Sequence, residues 1–141
     1  MIKGKPQPKV KVESISFLKK KAWKLFSEYI RRRWADPEGM VDCVTCHLTY
    51  HWKKLHAGHF IPGRHNLILF DERGCHPQCY ICNIHLKGNP RAYDAYMRTI
   101  YGTKVIKDLE RRDKESKQFT RPELEELIKI YKQKVEELTN K

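Results

Sequence analysis

Two Cys-x-x-Cys pairs, Cys43–Cys46 and Cys79–Cys82, stand 33 positions apart in a chain of 141 residues. Each pair can turn two thiolates toward one ion in a tight knuckle. Two knuckles complete a tetrahedral all-cysteine shell with no open position, so such an ion shapes the chain and does no chemistry. A lone Cys-x-x-Cys also reads as a redox pair, but redox chemistry does not call for two matched pairs. The sequence therefore predicts one structural zinc ion per chain on Cys43, Cys46, Cys79 and Cys82. His47, beside Cys46, is a competing ligand. Cys75 is left over, and the expectation is a buried or partly buried free thiol. The hydrophobic fraction is only 40%, and a metal staple offsets the small core that this allows.

The net charge is +12, and it is unevenly spread. Residues 1–34 carry eleven Lys or Arg against two Glu, whereas residues 120–141 carry five against five. A surplus of this kind attracts polyanions, with nucleic acid as the leading partner and an anionic membrane surface as the rival. No stretch approaches the ~18 consecutive apolar residues of a membrane span. The N-terminal residues lack the apolar core of a secretory leader, so the expected location is cytoplasmic. In that setting paired cysteines read as a metal site, not as disulfides.

In chain order, residues 1–13 read as a basic flexible arm, with Pro6 and Pro8 opposing regular structure. Residues 14–36 contain a basic amphipathic helix over Ser16 to Trp34, capped by Ser16. Its apolar stripe is Leu18, Ala22, Leu25, Phe26, Tyr29 and Ile30. Lys19, Lys20, Lys21, Lys24, Arg31, Arg32 and Arg33 lie mostly off that stripe, and they, with Lys87, are the expected DNA-binding residues. Residues 37–102 form the zinc-stabilised core: strands within Met40 to Val44 and Tyr50 to Phe60, a second apolar strand over Leu67 to Phe70, and a helix at the second knuckle. Asn89-Pro90 marks a helix start, Asn as cap and Pro at the first helical position. Residues 103–141 are C-terminal helices. Thr120-Arg-Pro-Glu123 is a capping-box pattern. Leu124, Ile128, Tyr131, Val135 and Leu138 follow at heptad spacing. That stripe packs either on the chain's own helices or on a second copy.

Six of the seven histidines fall between His47 and His76, and His85 follows. His59 sits in an apolar strand pattern that can aim its imidazole across a groove. Neutral imidazole suits the abstraction of a proton from water. Phosphodiester cleavage also needs a hard divalent ion, which oxygen ligands suit. Asn83, directly after the last zinc cysteine, is rigidly placed and offers an amide oxygen. Asp71 or Glu72 could add a carboxylate.

Gly58-His59-Phe60-Ile61-Pro62 followed by Cys79-x-x-Cys82-Asn83 resembles the His-Me finger (HNH, ββα-metal) nucleases. The fuller string is similar to the phage Rap/NinG recombination endonucleases. It comprises Ala57-Gly58-His59, Leu69-Phe70-Asp71-Glu72-Arg73, His76, Gln78-Cys79-x-x-Cys82-Asn83-x-His85 and Gly88-Asn89, and the likeness covers roughly residues 14–139. It implies an α+β fold in which a zinc-stapled ββα-metal core is flanked by N- and C-terminal helices. It implies a Mg2+- or Mn2+-dependent endonuclease that cleaves branched DNA, including Holliday junctions and D-loops, in phage recombination within the host cytoplasm. The implied products are a 5′-phosphate and a 3′-hydroxyl. By likeness to the endonuclease VII type of resolvase, His59 is the general base and Asn83 binds the catalytic metal.

Two positions depart from those resolvases. Gly58 stands where they carry a metal-binding Asp, so a further ligand must come from His56, Asp71, His76 or His85. Gly74 stands where many HNH motifs carry an Asn that orients the catalytic His. Either a neighbour such as His76 takes over, or backbone alone holds the base. A homodimer is expected, because resolving a four-way junction needs two cuts; no membrane or small-molecule substrate is expected. The alternatives are an HNH enzyme for linear duplex DNA and a non-catalytic zinc-ribbon DNA-binding protein.

Overall fold

A computed structural model describes residues 4–5 and 12–140. Most of the expected basic arm lies outside the described residues. The element order is α1 (Ile15–Arg32), β1 (Met40–Asp42), β2 (Thr49–His51), β3 (His56–His59), α2 (Asn66–Leu69), β4 (Cys75–Gln78), a π-helical turn (Ile81–His85), α3 (Pro90–Ile100), α4 (Thr103–Asp113) and α5 (Arg121–Thr139). The fold is mixed α+β.

Ser14, not Ser16, caps α1: its side chain accepts a hydrogen bond from the Phe17 N–H at 3.1 Å. Ser14 is extended (ψ 159°) and Ser16 already lies in the helix. Leu18, Ala22, Phe26 and Ile30 recur every four residues and are buried. This stripe packs against α5 and over the β3–β4 hairpin. The capping box of Thr120 and Glu123 opens α5, and Leu124 and Tyr131 are its buried residues. Tyr131 meets Phe26 edge to face, with ring centres 5.0 Å apart. The heptad-spaced stripe of α5 thus packs on the chain's own α1.

Two antiparallel pairs make up the sheet structure. Val41 of β1 faces Tyr50 of β2, and the first knuckle fills the connection between them. His56 of β3 faces Gln78 of β4, and His59 faces Cys75. Strand β4 has no sequence signal, because all four of its residues are buried. A strand buried on both faces loses the alternation that betrays a half-exposed one. The Val44 N–H donates to the Pro77 carbonyl at 3.0 Å, which joins the first knuckle to β4.

The strand expected over Leu67 to Phe70 is instead the short helix α2. A four-residue apolar run cannot be assigned by its period. Here Ile68 packs with Ile106 and Leu109 of α4, and the strand that pairs with β3 comes later in the chain. Asn89 precedes α3 with φ 47°, and its side chain does not cap the helix. It donates to Cys82 Sγ at 3.6 Å instead, tying the helix start to the second knuckle.

Candidate active site and metal centre

The Sγ atoms of Cys43, Cys46, Cys79 and Cys82 all lie within 4.8 Å of one another. Cys46 Sγ and Cys79 Sγ are 3.8 Å apart. That is about the edge of a tetrahedron of sulfurs placed about 2.3 Å from a zinc ion. Backbone N–H groups of Cys79 and Cys82 point at Cys43 Sγ (3.3 Å) and Cys79 Sγ (3.4 Å), as expected of knuckles shaped to hold thiolates. Burial first, and then the neighbouring thiols Cys43 and Cys79, push Cys46 up to about 12. Four thiolates this close need a cation between them, and the four cysteines could hold one metal ion such as zinc. Cys75 lies apart from them, fully buried in the core with Phe26, Ile30 and Tyr131.

Beside β3 opens a cavity of about 460 Å3. His56 and His59 line it from the strand, Asn83, Lys87 and Gly88 from the π-helical turn and beyond, and Trp23 and Arg31 from α1. Arg64 joins them from the loop after β3. His59 Nε2 is 3.0 Å from the Leu69 carbonyl oxygen. A carbonyl only accepts, so the ring proton sits on Nε2, and Nδ1 keeps a free lone pair. Trp23 stacks on the imidazole at 5.3 Å and 24°. Burial, and secondarily the nearby Arg64 guanidinium, hold the His59 pKa below 6.5 against the pull of the Leu69 carbonyl. Burial thus favours the neutral imidazole.

The Asn83 carboxamide donates from Nδ2 to His56 Nδ1 at 3.0 Å. A carboxamide can turn over, exchanging Nδ2 for Oδ1. Two donor atoms 3.0 Å apart match neighbouring positions on a hard divalent ion with ligands at about 2.1 Å. His56 and Asn83 thus fit such an ion as a partial ligand set. Among the described residues the cavity wall contains no carboxylate, and Arg31, Arg64 and Lys87 form no ion pair. Arg31 Nε donates to the Ser27 carbonyl (3.1 Å) and hydroxyl (3.2 Å), and Arg64 lies over the Trp23 ring at 4.4 Å, but these partners are neutral, so three cations without a carboxylate partner make the cavity attractive to anions.

The other expected ligands stand elsewhere. Asp71 is gripped by Arg73 at 2.7 Å and approached by Arg112 at 3.7 Å, and it lines a different cavity. Burial works to raise its pKa, but the bonds from Arg73 dominate and hold it below the usual range. Glu72 is tied to Arg33 and Lys134. His76 is fully buried, and both its ring nitrogens are engaged, Nδ1 by Tyr93 Oη (2.8 Å) and Nε2 by Tyr101 Oη (2.9 Å). His85 is exposed beside the Tyr80 ring. Of the four candidates, His56 alone meets Asn83.

Arg33 is also turned inward. Its Nη2 donates to the carbonyls of Glu72 (3.2 Å) and Cys75 (3.0 Å), so it clamps α1 to β4 and is not free for phosphate. Arg32 pairs with Glu28 and lies over Trp52. Lys20, Lys21 and Lys24 are exposed, and Lys19 is half-buried.

The two glycines have physical reasons. A Cβ at Gly58 would lie 2.0 Å from Gln78 Oε1. Gln78 is fully buried, with its Nε2 fixed to Thr45 Oγ1 (3.1 Å) and the Gly88 carbonyl (3.0 Å). No side chain fits at 58 while Gln78 holds that place. A Cβ at Gly74 would press on Leu109 at 3.3 Å. The Leu69 carbonyl and the Trp23 ring orient His59 instead. Trp23 and Arg64 were not legible as site residues. The one available hint was an aromatic set at the border of the α1 stripe amid lysines, followed far along the chain by an arginine just past the histidine strand.

The sequence model of a family described as "Bacteriophage Lambda NinG protein" matches residues 3–141. The chain is similar to the protein ninG of Salmonella phage P22, with 28% identity over 131 residues, 92% of this chain and 62% of that one. It is similar to the protein ninG of Escherichia phage 933W, with 27% identity over 133 residues, 94% of this chain and 63% of that one. The chain thus spans about three fifths of the length of these curated relatives. No solved structure matches. Among the described residues, no helix is long and apolar enough to cross a membrane.

Proposed function

The chain belongs to the NinG family of phage proteins, and from that premise we propose that it is a metal-dependent endonuclease for branched DNA, acting in phage recombination. The observation that carries the reading is one cavity that gathers a histidine whose burial favours the neutral form, a His–Asn donor pair and three cations with no carboxylate among them.

In this reading the β3–β4 hairpin and the π-helical turn are the core of a His-Me finger, and the four cysteines hold zinc for shape alone. Arg31, Arg64 and Lys87 draw a phosphate of the DNA into the cavity. His59, fixed through Nε2 to Leu69, takes a proton from water at Nδ1 as that water attacks phosphorus. Trp23 stacks against the ring and excludes solvent from one face. His56 and Asn83 would hold Mg2+ or Mn2+, which when bound stabilises negative charge on the phosphate and the leaving oxygen. Two copies related by a two-fold axis would supply the two cuts that a four-way junction needs. The apolar stripe of α5 is covered by α1, so the contact between copies lies on another surface.

The test is cleavage of a four-way junction in Mg2+, set beside a linear duplex of matched sequence. The native chain is expected to cut the junction faster. His59→Ala is expected to lower the rate by about 10²–10⁴-fold, the usual worth of a general base. Equal or faster cleavage of the linear duplex would move the substrate to ordinary duplex DNA. A native chain that binds every substrate and cuts none would leave a zinc-ribbon binding protein.

A further inference from the structure

We infer that the divalent ion is not held by the free protein but enters the cavity together with DNA, whose phosphate oxygens supply the anionic ligands that the chain lacks. This rests on the nuclease reading of the cavity and adds the order in which the site is assembled.

Hard divalent ions are held chiefly by carboxylates and by substrate phosphates. The donors that meet here, His56 Nδ1 and the Asn83 carboxamide, bring no negative charge to an ion. Around them stand Arg31, Arg64 and Lys87, unpaired among the described residues, and each repels an incoming cation. Free protein thus offers two ligands without negative charge inside a positive field.

The fold also closes the obvious routes by which a carboxylate could enter. Position 58 is blocked by Gln78 Oε1, 2.0 Å from where a Cβ would lie. That oxygen is buried and has no hydrogen-bond partner, but it is neutral. The acids that the sequence offered as ligands, Asp71 and Glu72, are held in ion pairs on another part of the surface.

A DNA phosphate reverses each of these terms. Neighbouring phosphates of the strand together offset the three cations, and the one in the cavity brings anionic oxygens to the open side of the His56–Asn83 pair. Ion and DNA must then raise each other's affinity by the same factor, because binding linkage is reciprocal. The nuclease carries no loaded ion until its substrate is in place.

The experiment follows Mn2+ binding by the electron paramagnetic resonance signal of the free ion. It uses zinc-loaded protein carrying His59→Ala, so that the DNA stays intact. Titrations are run with protein alone, with a four-way junction alone, and with the complex. Asn83→Ala in the same background identifies the ion of interest. The expected result is an Asn83-dependent ion bound at least about tenfold more tightly in the complex, a coupling of ordinary size. Asn83→Asp, which installs the missing carboxylate, should tighten binding by the free protein and weaken the dependence on DNA. Arg64→Gln should tighten free-protein binding by a smaller factor.

An Asn83-dependent ion held equally well with and without DNA overturns the inference. So does the absence of any such ion from the complex. Cleavage of the junction by the native chain, measured in parallel, separates the two readings. If cleavage persists in either case, the nuclease reading stands and only the order of assembly fails. If cleavage is absent as well, both fail.

Discussion

The cysteine cluster and the His56–Asn83 pair sit on neighbouring residues, Cys82 and Asn83, yet they are opposite kinds of site. The first gathers four like donors that become anionic, and it completes a shell. The second gathers two unlike donors that carry no negative charge, stays open on one side, and is ringed by cations. Closure and charge suit the first to hold an ion permanently. Openness and the lack of negative charge suit the second to a reaction in which phosphate takes part. The fold links them: the Asn83 N–H donates to the Cys79 carbonyl at 2.9 Å, so the knuckle sets the position of Asn83.

The largest expected effect lies on the closed site. Cys82→Ser should cost bound metal and fold together, because binding to a structural site is folding free energy. Metal content and far-ultraviolet circular dichroism check this, and a folded variant without metal would erase the distinction between the two sites. Next comes the open site. Asn83→Ala should abolish junction cleavage while junction binding and the melting temperature stay near native. Loss of folding in that variant would move Asn83 to the structural side.

His76 offers an intermediate effect and sharpens the division from behind the hairpin. The Tyr93 hydroxyl donates to the Gly58 carbonyl at 2.7 Å, so His76 Nδ1 must donate to Tyr93 Oη and His76 Nε2 accepts from Tyr101. Burial first, and then Arg33, lower His76 to about 3. A histidine whose folded pKa lies below its unfolded value gives stability that is complete above the unfolded pKa. That stability is lost as pH falls toward the folded value. Between pH 6.5 and about 3, native stability should therefore decline by up to about 1.4 kcal/mol per pH unit from this group. His76→Ala should destabilise the chain by about 2–4 kcal/mol near neutral pH, with a shallower acid decline in zinc-saturated denaturant titrations. Identical slopes for the two chains would contradict this. The smallest effect is expected at the rim. Arg64→Gln should weaken DNA binding and reduce its salt slope by about 1, with stability unchanged; an unaltered slope would show that Arg64 does not meet phosphate.

Legibility followed the same divide. The cysteine cluster was readable because its ligands are rare residues at a fixed short spacing. The capping box of α5 was readable for a similar reason. His59 and Asn83 stood out in the sequence, and the structure places both on one cavity wall, but the company they keep there was not legible. Trp23 comes from a helix more than thirty residues earlier, and Arg64 from a loop with no pattern of its own. Whether His56, Asp71, His76 or His85 would join Asn83 depends on strand register, and β4 was invisible because its burial hides the alternation. Arg33 falls in line with the buried stripe, seven residues after Phe26 and three after Ile30, but its charge made it read as a surface cation. Only the docking of α1 on β4 turns it into a clamp.

The most direct test of the division between the two sites is to empty one while leaving the other filled. Zinc-loaded protein freed of Mg2+ and Mn2+ is assayed on a four-way junction, before and after either ion is restored, with zinc content measured throughout. The account predicts a folded, inert protein that regains full cleavage on adding Mg2+ or Mn2+, at unchanged zinc stoichiometry. Cleavage that persists without those ions, or that rises and falls with zinc content, would contradict it.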